Sequence, residues 1–195
     1  LLRTAGVDVK IEDLAKEDLP QYRLEGTDQH IPLFREVLDL YEGKAPMIIE
    51  LKAHGNAAAL TEAVCDMLKD YKGTFCLESF DPRCICWLRK NRPDLIRGQL
   101  SENYFKTDKC TLPWYLKFLL TWQMINFLTL PDFVAYRYSD RKHISNFAAR
   151  KIWSALKKNL NMSAFIWHWK RCALQMNLIS NMISRPRIFS FRHSA

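Results

Sequence analysis

The sequence predicts an α/β fold with parallel strands, of the (β/α)₈ TIM-barrel type. Six short apolar segments recur along the chain, helical patterns separate them, and the first is apolar on both faces, as strands buried in parallel sheets are. A barrel needs eight strands, so we expect the first two to be missing from these 195 residues. An open doubly wound sheet is the alternative, although no G-x-G-x-x-G turn supports a dinucleotide site.

The first predicted strand lies in "PMIIELKAHGN", Pro46 to Asn56. Alternation along a strand places Ile48, Glu50 and Lys52 on one face, near the carboxyl end where sheets of this class build their sites. A structural ion pair is one interpretation of Glu50 and Lys52. The other is a carboxylate that binds a divalent cation beside an ammonium that binds an anion, because a buried carboxylate is costly unless it is paired or ligates a metal.

The remaining elements follow in β-α order. Asp81 and Pro82 have the residue types of an N-cap and a first helical position. The region 1–41 is predicted to be loop plus helices, in "KIEDLAKEDL" and in "IPLFREVLDLY", with Leu33, Val37 and Leu38 on one face. The other predictions are a helix over 59–71 and strands over 73–80, 94–100, 132–137, 164–169 and 185–191.

Composition indicates one globular domain over residues 1–195, with 48% hydrophobic residues and a net charge of +8. The basic excess lies mostly in the second half, but no nucleic-acid-binding motif accompanies it, so we expect no nucleic-acid partner. The six cysteines include a C-x-C at Cys84 and Cys86 without the second pair that zinc needs. We therefore expect free thiols and a cytoplasmic protein.

An aromatic segment, "LPWYLKFLLTWQMINFLTLPDF", is nearly as long as a membrane-spanning helix. Lys117, Gln123 and Asn126 interrupt it and a proline bounds each end. A helical insertion at about 112–130 is predicted, either packed on the domain, capping a cleft mouth, or in contact with a membrane surface.

Several motifs in order resemble the glycerophosphodiester phosphodiesterase family, in its small soluble bacterial type. They are "LLRT" at 1–4, "IPLFREVLDL" at 31–40, "IIELK" at 48–52, "ESFDP" at 78–82, "RPDLIRGQL" at 92–100 and the tryptophan of "FIWHW". The resemblance implies a TIM barrel that uses Ca²⁺ or Mg²⁺ to hydrolyse glycerophosphodiesters to glycerol 3-phosphate and an alcohol, in lipid and glycerol metabolism.

The resemblance also implies roles for individual residues. Glu50 matches the family's metal-binding glutamate, Lys52 the lysine beside the phosphate, and Trp167 an aromatic residue that lines the substrate cleft. Glu78, with Phe80 on the same face, is a candidate for contact with the metal or its water ligands; a structural polar contact is the alternative.

The chain departs from the family pattern in two places. The family's histidine-arginine pair, its glutamate-x-aspartate and its histidine-aspartate have no counterpart, and the five histidines do not match those positions. Ser190 stands where the family usually has glutamate. We therefore expect this chain alone to be inactive or nearly so. A lysophospholipase D-type hydrolase and a catalytically silent relative that binds lipid or a membrane surface are the alternative functions.

Overall fold

The computed structural model describes residues 1–107, 110–140 and 142. These residues fall into two compact units, one made of residues 1–46 and 67–74 and the other of residues 47–66 and 75 onward. The first unit contains helix α1 (Leu2–Ala5), two 3₁₀ helices (Ile11–Asp13 and Lys16–Gln21) and helix α2 (Phe34–Tyr41). The second contains the sheet.

The first unit has its own small core, in which Leu14, Leu19, Leu24 and Ile31 are buried together. The helix predicted over "KIEDLAKEDL" is wrong, because the structure has two short 3₁₀ helices there. Pro20 lies inside the second of them, where its ring and missing N–H would disrupt an α-helix.

Helix α2 begins at Phe34, inside the segment 31–41 that was predicted to be helical. The N–H of Leu33 donates to the Glu36 carboxylate at 2.7 Å, so Leu33 is the residue before the helix. Phe34 and Leu38, four residues apart, form the buried stripe. The predicted face is confirmed at Leu38, and its other two members, Leu33 and Val37, are half-buried beside this stripe.

Four parallel strands form the sheet of the second unit. They are β1 (Met47–Glu50), β2 (Phe75–Ser79), β3 (Arg97–Ser101) and β4 (Phe133–Tyr136), paired in the order β1-β2-β3-β4. All three pairings are parallel, which confirms four of the predicted strands and the α/β class. The predicted strands at 164–169 and 185–191 lie outside the described residues, and closure of the sheet into a barrel stays a prediction.

The two faces of β1 and of the start of β2 differ in exposure, whereas Glu78 and all of β3 are buried. Ile49, Leu51 and Leu77, on one face, are 0–1% exposed. On the other face, Ile48, Glu50 and Cys76 are only partly buried. The strands are therefore anchored through the first face, and the face that carries Glu50 remains reachable by solvent.

Helices α3 (Ala57–Leu68) and α4 (Pro82–Asn91) follow the first two strands. Helix α4 packs against β2 and β3 through Cys84, Ile85 and Leu88, each fully buried. Its start confirms the sequence prediction: the Asp81 carboxylate accepts the Arg83 N–H at 2.9 Å, and Pro82 occupies the first turn.

The aromatic segment forms two short helices, α5 (Trp114–Thr121) and α6 (Asn126–Thr129). Gln123 and Leu130 have positive φ angles of 57° and 39°, which end the helices without glycine. Among the described residues, no helix has the length and apolar character needed to cross a membrane.

Gly98 of β3 makes room for an aromatic ring. A Cβ atom built on Gly98 would overlap the ring of Phe133 on β4, so the ring must move if any side chain is added. We expect Gly98→Ala to lower the free energy of unfolding by about 1–3 kcal/mol, measured by urea denaturation.

Gly55→Ala is the matched control, because a Cβ atom there meets nothing within 4 Å. The double variant Gly98→Ala, Phe133→Leu should recover part of the loss. Equal stabilities of Gly98→Ala and Gly55→Ala would show that the contact is unimportant.

Candidate active site

Two glutamates lie side by side at the carboxyl edge of the sheet. Glu50 is the last residue of β1 and is the register partner of Glu78 on β2. Partners on neighbouring parallel strands are about 4.8 Å apart and point to the same face. The Leu51 N–H donates to the Glu78 carbonyl at 2.7 Å and holds this register at the strand ends.

Lys52 pairs with the first of these carboxylates. Its Nζ lies 3.3 Å from Oε2 of Glu50, and the two side chains are 51% and 30% exposed. An ion pair this open to solvent contributes little to stability, at most about 1 kcal/mol. Its weakness leaves the Glu50 carboxylate available to a cation and the Lys52 ammonium available to an anion.

Glu78 is in a different environment. It is 8% exposed, and no hydrogen bond or ion pair to its carboxylate is found among the described residues. Burial, and secondly the charge of Glu50, raise its pKa from 4.5 to about 7. An unpartnered buried carboxylate beside a second carboxylate is a chemical environment that a hard cation would stabilise.

The described residues do not by themselves provide a full set of ligands for a metal ion. Within residues 1–107, 110–140 and 142, no group of three or more histidine, cysteine, aspartate or glutamate side chains is placed to hold a metal ion. Glu50 and Glu78 therefore fit a divalent cation as donors, but further oxygen ligands are needed for the six or more that calcium prefers. Trp167, predicted to line the cleft, lies outside the described residues.

Ser79 fixes the geometry around the two glutamates, a role that the sequence analysis missed. Its hydroxyl donates to the Leu51 carbonyl at 2.6 Å and accepts the Asp81 N–H at 3.0 Å. It thereby ties the end of β1 to the turn into α4. Phe80, the next residue, is 37% exposed, and its carbonyl accepts from the Gln99 amide at 3.3 Å.

A second polar cluster follows β3 and β4 and was also missed. Arg137 forms an ion pair with Glu102, whose other oxygen accepts the Thr107 hydroxyl at 3.0 Å. The Asp140 carboxylate accepts the Asn103 N–H at 3.1 Å. The sequence signal was "SEN" directly after a strand, since polar residues there lie at the carboxyl edge.

The aromatic segment is attached at the same edge. The Ser101 hydroxyl, at the end of β3, donates to the Leu120 carbonyl at 2.8 Å, and the Tyr104 N–H donates to the Thr121 hydroxyl at 3.1 Å. The C-terminal end of α5 is therefore fixed to the strand end from which the second polar cluster starts.

The thiols are poorly suited to nucleophilic chemistry. No disulfide bond joins the cysteines that the structure describes. Burial raises the pKa of Cys65 to about 11 and also raises the pKa of Cys84, which contacts Thr61 and Ser79. Their thiolate fractions at neutral pH are therefore small.

An open groove of about 720 Å³ lies elsewhere in this unit, lined by residues that include Asn56, Trp87 and Lys90. Neither Glu50 nor Glu78 lines it. Its volume alone does not make it the site of chemistry, because the perturbed carboxylate lies at the sheet edge.

Comparison with known proteins supports the family resemblance in part. No protein-family model matches the chain. Over 84 residues the chain is 33% identical to lysophospholipase D GDPD1 of Rattus norvegicus. This matched stretch covers 37% of the chain and 26% of the relative. The same protein of Mus musculus is 32% identical over 84 residues, with the same coverage. The chain thus spans about a quarter of the length of these relatives.

The raised pKa of Glu78 should make stability depend on pH. Between pH 4.5 and about 7 the folded chain binds more protons than the unfolded chain, so the free energy of unfolding falls as pH rises through this window. The loss is on the order of 3 kcal/mol and is complete above the folded-state pKa. Glu78→Gln should remove it, which urea denaturation with a chelator at several pH values would measure.

Glu62→Gln, an exposed position on α3, is the control and should keep the parent's pH profile. The assignment of Glu78 is contradicted if the parent and Glu78→Gln lose stability in parallel as pH rises.

The ion pair of Glu102 and Arg137 should matter for folding, because the Glu102 side chain is only 9% exposed. Arg137→Met leaves a buried carboxylate with only a hydroxyl partner and should cost about 3 kcal/mol of unfolding free energy. Arg83→Met, which breaks an exposed pair with Asp81, should cost less than about 1 kcal/mol. Equal losses in urea denaturation would contradict the prediction.

Proposed function

We propose that the chain forms part of a cation-dependent phosphodiester hydrolase that acts on glycerophosphodiesters. The observation that carries the proposal is the grouping of Glu50, Lys52 and Glu78 at the carboxyl edge of a parallel sheet. The partial similarity to proteins named lysophospholipase D supports the same class of reaction. We also propose that the sheet belongs to a TIM barrel, since all its strand pairs are parallel and their order is consecutive.

Each residue has a distinct role in this proposal. Glu50 supplies carboxylate oxygens to Ca²⁺ or Mg²⁺, and Glu78 supplies a second carboxyl group beside it. When bound, the cation acts as a Lewis acid toward the phosphate oxygens. Lys52 holds the phosphate and offsets negative charge that develops on its oxygens. Trp167 is proposed to line the substrate cleft.

A lysophospholipase D-type activity is the second candidate. Two observations favour it: both relatives are named lysophospholipase D, and the apolar α5 is attached at the carboxyl end of β3. An apolar helix at the site edge suits a substrate with an acyl chain. Both candidates release the same alcohol head group, so they differ in which substrate is preferred.

The roles of Glu50 and Lys52 are distinguished by measuring cation binding directly. Calorimetric titration with Ca²⁺ and Mg²⁺ should show Glu50→Gln weakened by about tenfold or more, because a neutral amide is a poorer ligand for a hard cation. Lys52→Met should bind the cation as tightly as the parent or more tightly, since a nearby positive charge is gone. Glu62→Gln is the charge-matched control and should bind as the parent does.

Turnover is measured as choline release from glycerophosphocholine and from lysophosphatidylcholine, with and without cation. Any activity should require the cation, and Lys52→Met should slow it without loss of cation binding. Unchanged cation affinity in Glu50→Gln would show that Glu50 and Lys52 are a structural ion pair. Because this chain is expected to be nearly inactive alone, cation binding without turnover agrees with the proposal, and the cation affinity of Glu50→Gln is the deciding measurement.

A further inference from the structure

Helices α5 and α6 expose an unusual amount of apolar surface. Thr121 is the only residue of α5 that is buried, although the helix has six apolar or aromatic residues among eight. A helix that is apolar nearly all round is normally enclosed by protein or lipid. We define the interfacial surface as the six side chains here that are 40–74% exposed: Trp114, Tyr115, Phe118, Met124, Phe127 and Leu128.

The interfacial surface is held in place by hydrogen bonds at both ends. The α5 end is bound to β3 and to the loop after it through the Ser101–Leu120 and Tyr104–Thr121 contacts. The α6 end packs on α4, where Arg89 Nη1 donates to the Leu128 carbonyl at 2.6 Å. The apolar side chains are therefore presented to solvent by a supported backbone, and an exposed patch of this kind marks an interaction site.

The charges around the surface favour an anionic partner. Residues 110–131 contain no carboxylate, and their one charged side chain is Lys117 on α5. Arg89 and Lys90 are exposed on α4, which packs against α6. Tryptophan and tyrosine with flanking lysine and arginine are the residues that settle at the headgroup level of a bilayer.

We propose that the interfacial surface docks the chain on an anionic lipid membrane. Helix α5 has eight residues and is too short to span the hydrocarbon core, so it lies in the plane of the interface. A second copy of the chain fits this surface less well. In a two-fold contact the Lys117 side chains of both copies would lie in the same interface, and residues 110–131 offer no carboxylate to pair with them. The proposal does not depend on the hydrolase chemistry.

The experiment is co-sedimentation of the chain with lipid vesicles, made of phosphatidylcholine alone or mixed with phosphatidylserine. The parent should bind the mixed vesicles more tightly, and added salt should weaken that preference. The double variant Trp114→Ser, Leu128→Ser should lose about tenfold or more of its vesicle partitioning. Lys117→Glu should reduce the preference for the anionic vesicles.

The control is the double variant Leu40→Ser, Ile96→Ser, which removes exposed apolar side chains outside the interfacial surface and should bind as the parent does. Equal binding by both double variants overturns the proposal. The proposal is also overturned if the parent does not bind vesicles and light scattering shows that it forms a dimer which the Trp114→Ser substitution dissociates. Vesicle binding is measured without choline release. A chain that binds vesicles but has no hydrolase activity therefore still supports membrane docking through the interfacial surface.

Discussion

The register between β1 and β2 is the constraint on which the candidate site depends. The Leu51 N–H to Glu78 carbonyl bond and the Ser79 hydroxyl to Leu51 carbonyl bond both hold it at the strand ends. A slip by one residue would turn every side chain of β2 to the opposite face. Leu77 would then leave its fully buried position and Glu78 would enter the face beneath the helices, so the apolar packing itself opposes the slip.

The same register gives two identical side chains different chemistry. Glu50 is partly exposed and has Lys52 beside it, whereas Glu78 is buried next to the charge of Glu50. The Glu50 carboxylate is therefore paired with the Lys52 ammonium, whereas burial and the charge of Glu50 destabilise the ionised form of Glu78. Burial favours the neutral acid form of Glu78, and with a pKa of about 7 this carboxyl group changes its protonation state near neutral pH.

The sequence predicted the elements that depend on interactions between residues close together in the chain. The strand "MIIE" and the helix start at Asp81 follow from apolar runs and from capping, both of which involve residues close in the chain. The Glu102–Arg137 pair joins residues 35 positions apart, and no local pattern shows it. The break between α5 and α6 was also hidden, because Gln123 rather than glycine adopts the left-handed conformation there. The raised pKa of Glu78 could not be predicted from the sequence either, because it results from the burial of the side chain and from the charge of Glu50 on the neighbouring strand.

Helices α5 and α6 also affect how the chain behaves in solution by itself. With a net charge of +8, copies repel one another at low ionic strength, and this repulsion keeps their exposed aromatic side chains apart. Salt screens the repulsion over about 10 Å at 0.1 M but leaves the attraction between apolar surfaces intact. The solubility of the chain should therefore fall as salt is added, so a dilute buffer of low ionic strength suits its purification better than a concentrated one.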